Sequence, residues 1–92
     1  INALGCIETC TTAACILAAD AAAKSGQVHL IELRFAAGLG GKAFVTMTGE
    51  VSSVQASVDA GVATVEGEGA GPVLSHIVIP SPSEEFKAQL LG

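Results

Sequence analysis

Cys6, Cys10 and Cys15 stand close together near the N-terminus and are the residues most suited to metal or thiol chemistry. Their spacing matches no zinc signature, and a fourth ligand is missing from the set. Free cysteine is among the most buried residue types, which favours structural roles for all three. His29 and His76 have no Ser or Cys beside them in a nucleophile motif, and catalysis would need a base within reach of one. Glu8, Glu32, Glu50, Glu66 and Glu68 are scattered over different segments rather than paired for acid–base work. The sequence therefore presents no catalytic set, no metal site and no cofactor site.

The segment Ala36-Ala37-Gly38-Leu39-Gly40-Gly41 is the remaining chemical candidate. A phosphate cradle would precede a helix whose N-terminus meets the anion. Here the following residues, Ala43 to Thr48, alternate as a strand does. Two readings stay open: a plain turn, or a rim on which glycines expose backbone dipoles around an axis. Lys42 directly after it either sets the charge of such a rim or is an ordinary exposed lysine.

The segments that would position these residues follow from periodicity. Ala3 to Glu8 is a short apolar strand, and Thr9, Thr11 or Thr12 caps the helix after it. Thr12 to Ser25 is rich in Ala, the best helix former, and stops at Gly26 after Lys24. Val28 to Phe35 alternates, with His29, Ile31, Leu33 and Phe35 on one face and Val28, Leu30, Glu32 and Arg34 on the other. With Ala43 to Thr48 it makes a hairpin around the Gly-rich loop. Val51, Val54, Val58, Val62 and Val65 form one stripe on a helix reaching Glu66, broken by Gly67, Gly69 and Gly71. Val73 to Ile79 is a last strand. Ser81 and Glu84 form a capping box for a short helix, Pro82 to Leu91, with Phe86 and Leu90 one turn apart. The order β-α-β-β-α-β-α predicts an α+β, ferredoxin-like antiparallel sheet with both long helices on one face.

A chain of 92 residues makes one domain, 1–92, and a domain this small is marginal alone. Half of its residues are hydrophobic and only 14% are charged, more apolar surface than one small core uses. That excess points to contacts between subunits. The net charge of −5, with no basic patch, excludes nucleic acid and disfavours anionic membranes as partners. No apolar run reaches the roughly 18 residues of a membrane span. No signal peptide is visible from Ile1 onward, and the odd cysteine count fits a reducing cytosol.

Five segments carry a family resemblance, in order and over nearly the whole chain. Ala3-Leu4-Gly5-Cys6-Ile7-Glu8-Thr9 resembles the ALG-x-IET opening of bacterial microcompartment shell domains. Ala18-Ala19-Asp20-Ala21-Ala22-Ala23-Lys24 is similar to their AADA-x-x-K helix, and Thr48-Gly49-Glu50-Val51-Ser52-Ser53-Val54 to their x-GDV-x-x-V turn. Asp59-Ala60-Gly61 matches DAG, and His76-Ile77-Val78-Ile79-Pro80 resembles HVIP.

The resemblance implies a non-enzymatic shell protein in the bacterial cytoplasm. Six copies would form a homohexameric tile, and tiles would pack with other shell proteins around encapsulated enzymes. The residues Phe35, Ala36, Ala37, Gly38, Leu39, Gly40, Gly41 and Lys42 would line an axial pore for small metabolites. Lys24, Gln27 and Ser81 would lie at the edge between tiles. The chain departs from the family pattern there: Gln27 stands where an Asn is usual, and Pro80-Ser81-Pro82-Ser83 replaces PRPH, removing an Arg. Its pore segment, about two residues longer than the usual K-I-G-S-G, resembles the second half of tandem, trimer-forming shell proteins. Two alternatives follow: one half of a tandem protein, or a ferredoxin-like small-ligand-binding module. Ring closure needs two different complementary faces, expected from the Ala-rich helix and the sheet edges. Ala19→Arg is accordingly expected to hinder assembly.

Overall fold

The structure, a computed structural model, describes residues 3–35, 42–69 and 71–80. The pore segment at residues 36–41, Ser81 with its capping box, and the expected C-terminal helix all lie outside the described residues.

Six elements run in the order β1 (Ala3–Thr9), α1 (Thr12–Ser25), β2 (His29–Phe35), β3 (Ala43–Gly49), α2 (Val51–Glu68) and β4 (Val73–Ile79). The sheet order is β2-β3-β1-β4, and every neighbouring pair is antiparallel. That is the ferredoxin-like plan the sequence predicts.

Alternation places one side of each central strand against the helices. Ala3, Ile7, Ala43, Val45 and Met47 are buried there with Val54, Val58 and Val65 of α2. Gly5 sits beneath α2 so closely that a methyl group on it would fall 2.7 Å from Val54 Cγ1. Thr11 caps α1, its hydroxyl accepting from the Ala14 N–H at 3.0 Å. α2 runs one turn fraction further than its valine stripe suggests, taking in Gly67 and Glu68. It stops at Gly69, whose φ of 66° is the left-handed conformation that glycine adopts without strain.

The two helices meet along rows of small residues. On α1 these are Ala14, Ala18 and Ala22, continued by Gly26 at its C-cap, and on α2 Ser53, Ser57 and Gly61. A methyl on Gly26 would lie 2.7 Å from Ser57 Oγ, and one on Gly61 would lie 3.1 Å from the Ala18 carbonyl oxygen. These contacts set the rows antiparallel, each ridge of four-residue spacing against the other. Gly26 has extended backbone, so space rather than dihedral freedom requires glycine there.

Two expectations are corrected. Ala19 is not an outward contact residue; it is 6% exposed and belongs to the core. Ala19→Arg would therefore act on folding, because it would drive a charge into apolar surroundings. The faces of β2 also differ from simple alternation. His29 pairs with Thr48 and Leu30 with Met47, then the register shifts, and Glu32 pairs with Thr46. A bulge at Ile31 thus reverses the parity. Leu30, Leu33 and Phe35 share the side of Met47 and Val45, whereas His29, Glu32 and Arg34 share the side of Thr46 and Thr48.

Candidate functional site

The expected pore residues Phe35 and Lys42 stand at the end of β2 and just before β3. Phe35 pairs with Ala43 at that end, and Lys42 directly precedes the pair, both side chains exposed. Phe35 lies on the helix side of the sheet, beyond the helices' cover, in line with Leu33. Lys42 is the only charged residue between Phe35 and Gly49. Ala36, Ala37, Gly38, Leu39, Gly40 and Gly41 lie outside the described residues.

The expected edge residues sit where α1 hands the chain to β2. Lys24 is in the last turn of α1, and its Nζ lies 2.9 Å from Asp20 Oδ2, one turn earlier. Gln27 is exposed just past Gly26, and its carbonyl would lie 3.1 Å from a methyl on Gly49. Close approach at Gly26 and at Gly49 therefore fixes the backbone that carries Lys24 and Gln27. Ser81, the third expected member, is outside the described residues.

Sequence reasoning did not locate the exposed apolar side chains of the outer strands. The outermost strands are β2 and β4, and each leaves one side without a strand partner among the described residues. Leu30, Leu33 and Phe35 are exposed on β2, and Leu74 and Ile77 on β4. Composition alone announces this surplus; pairing register is needed to place it. An uncovered, apolar outer strand is a template for association with another chain.

On the side of the sheet away from α1 and α2, the carboxylates Glu8 and Glu32 each have a local hydrogen-bond donor. The Ser75 hydroxyl donates to Glu8 Oε1 at 3.1 Å across β4 and β1. Arg34 Nε donates to Glu32 Oε2 at 2.9 Å, and its second guanidinium nitrogen also reaches that oxygen. Among the described residues, no group of three or more His, Cys, Asp or Glu side chains could hold a metal ion. No described helix is long and apolar enough to cross a membrane.

The three thiols are unpaired, Cys15 buried and Cys6 and Cys10 half-buried. Burial, with the Glu8 charge adding to it, pushes the Cys6 thiol above its ordinary range. Burial also raises Cys15, an effect that the Thr9 hydroxyl partly offsets and Cys6 reinforces. Above the ordinary value of 9.0 the unfolded chain releases protons that the folded chain keeps, so stability falls as pH rises through that region. Urea midpoints measured from about pH 8 to about pH 10 are expected to decline. The double variant Cys6→Ala, Cys15→Ala is expected to show a shallower decline.

Residues 3–82 match the family model for the BMC domain. The chain is 39% identical over 93 residues to the bacterial microcompartment shell protein PduT of Citrobacter freundii, spanning 98% of this chain and 48% of that protein. It is 39% identical over 85 residues to the carboxysome shell protein CcmK2 of Synechococcus elongatus, spanning 92% of this chain and 81% of that protein. Among solved structures, a microcompartments protein from Desulfitobacterium hafniense DCB superposes with a TM-score of 0.86 at 51% identity, over 96% of this chain and 48% of that one. The chain thus spans about half the length of PduT and of the Desulfitobacterium protein, and about four-fifths of CcmK2.

Proposed function

The chain belongs to the BMC domain family, and from that premise we propose that it is a structural, non-catalytic subunit of a bacterial microcompartment shell. Six copies close into a ring, and rings tile with other shell proteins into facets that enclose enzymes in the bacterial cytoplasm. The segment at residues 36–41, flanked by Phe35 and Lys42, lines the axial pore through which small metabolites pass.

The observation that carries this reading is the pair of exposed apolar outer strands. Leu30, Leu33 and Phe35 on β2, and Leu74 and Ile77 on β4, lie at opposite ends of one sheet order. A cyclic ring needs each subunit to offer two different faces, and two unlike outer strands are such a pair. A small domain is also short of core, so burying these side chains between copies supplies stability that it lacks alone. The relatives' names, shell proteins of microcompartments and carboxysomes, support the structural role.

A second reading has its own support: the chain spans 48% of PduT and 48% of the Desulfitobacterium chain. On that reading it is one half of a tandem protein, and three two-domain chains make the ring. Native mass spectrometry with electron microscopy separates the two. A species of six times the 9.1 kDa chain mass, with hexagonal sheets in the images, is the expected result. Species smaller than a ring, closing only when a second BMC domain is added, would favour the tandem reading. A monomer that never assembles would overturn both.

A further inference from the structure

We propose that His76 makes ring closure sensitive to pH: its neutral imidazole is buried against the neighbouring copy, and protonation below neutral pH opens that contact. The inference rests on the ring reading above and names a condition under which the ring holds.

The chain has two histidines, and the fold puts one on each outer strand: His29 on β2 and His76 on β4. Histidine is the side chain whose charge changes between about pH 5 and pH 8. The settings of the two differ. β4 carries no Asp, Glu, Lys or Arg, so His76 is its one ionisable group. His76 is exposed, and the exposed Leu74 and Ile77 stand on either side of it in the strand. His29 instead shares its side of the sheet with Glu32 and Arg34, so a charge there stays among charges.

Among the described residues, two elements pack against β4. His76 pairs with Ile7 of β1 and lies on the helix side of the sheet, whereas the ionisable neighbours of Ile7, Cys6 and Glu8, lie on the opposite side. The other element is α2, whose ionisable side chains Asp59, Glu66 and Glu68 are exposed. Carboxylates in water attract an imidazolium in a free chain and in a ring alike, so they do not set the sign.

Desolvation sets it. Moving an imidazole from water into a contact with Leu74 and Ile77 on one side and an apolar neighbour on the other disfavours the charged form. The ring then binds fewer protons than the free chains, so its stability falls as the pH falls. Protonation also reduces the net negative charge of −5, which eases repulsion between copies. That repulsion acts at long range and is screened beyond about 8 Å at physiological ionic strength. The desolvation cost arises within the contact and is not screened.

Size-exclusion chromatography with light scattering tests the proposal on the full chain at physiological salt. The readout is the concentration at which half the chains are in rings, at about pH 7.5 and about pH 5.5, on either side of the histidine titration. A contact that accepts only the neutral imidazole loses about tenfold in association constant one pH unit below that titration. The wild-type concentration should therefore rise at least about tenfold between the two conditions. In His76→Gln and His76→Leu, neutral at both, the same ratio should stay near about one. His76→Lys, charged at both, should already need at least about tenfold more protein than the wild type at the higher pH. His29→Gln should keep the wild-type ratio. Circular dichroism at each pH separates opening from unfolding. Wild-type rings indifferent to pH would overturn the proposal, as would neutral variants that keep the wild-type ratio or a lysine variant that closes as readily as the wild type. Ring loss accompanied by loss of the folded signal would also overturn it. A wild type that forms no ring at either pH removes the ring reading, and this inference with it.

Discussion

Gly61→Leu is expected to cost about 3 kcal/mol or more, while Gly67→Ala on the same helix is expected to stabilise the fold by roughly 0.5–1 kcal/mol. The difference lies in what surrounds each glycine. A methyl on Gly61 would already fall 2.7 Å from Ile7 Cδ1 and 3.1 Å from the Ala18 carbonyl oxygen. The Ala18 oxygen is backbone and yields only if α1 moves away from α2, and Ile7 of β1 is fully buried with little room to turn aside. A leucine there must part the helices. At Gly67 nothing lies within 4 Å of the added carbon, and alanine removes backbone freedom from the unfolded chain at no steric cost. For a domain of this size each kcal/mol shifts the melting temperature by roughly 4–8 °C. The leucine variant should therefore melt well below the wild type, or fail to accumulate as folded protein. Paired urea titrations of the two variants decide the matter. A Gly61→Leu variant as stable as the wild type would mean that the two helices are not held at this separation.

In the proposed ring assembly, the double substitution Leu30→Lys, Leu33→Lys is expected to leave single folded chains. Both leucines are already about two-fifths exposed, at 42% and 41%, so the fold loses little by the change. A ring whose contact includes β2 loses a great deal, because two ammonium groups would have to be desolvated against an apolar neighbour. Natural sheets use lysine on outer strands for this very purpose. Native mass spectrometry should show the ring mass replaced by the chain mass, with circular dichroism unchanged. An unaltered ring mass would remove β2 from the contact and leave the assembly to other surfaces.

Much of this architecture is legible before any coordinates are known. Alternation marks the strands, and the threonines before the run of alanines mark the start of α1, Thr11 being the one the structure selects, because caps and propensity act locally. The valine stripe of α2 names its buried face: Val54, Val58 and Val65 are buried. Val51, at the start of the helix, is exposed instead, since the stripe leaves the sheet there. What could not be read has two physical causes. A helix made almost wholly of alanine offers no contrast between faces, so nothing in Ala18-Ala19-Asp20-Ala21-Ala22-Ala23 says that Ala19 turns inward. A bulge leaves no mark on a strand whose residues are suited to either side, so the parity change at Ile31 shows only in the pairing with β3. At the candidate site, the family resemblance marks Lys24 and Gln27 as expected edge residues. The ion pair that orients Lys24, and the outer-strand leucines, required the fold.

The rows of Ala14, Ala18, Ala22 and Gly26 against Ser53, Ser57 and Gly61 bear on how this protein can change. Alanine and glycine lose no side-chain freedom on burial, so most of this seam forms without the rotamer entropy that a leucine-rich seam must surrender. That suits a chain with little core to spare. The same economy leaves no slack, because a methyl or a glycine carries no torsion by which to accommodate a larger neighbour. Replacements along the seam should be confined to Gly, Ala and Ser, whatever the rest of the molecule does. The open faces of α1, β2 and β4 are free to drift in charge and shape, and with them the choice of neighbours. One tightly packed pair of helices can thus carry outer faces of very different chemistry.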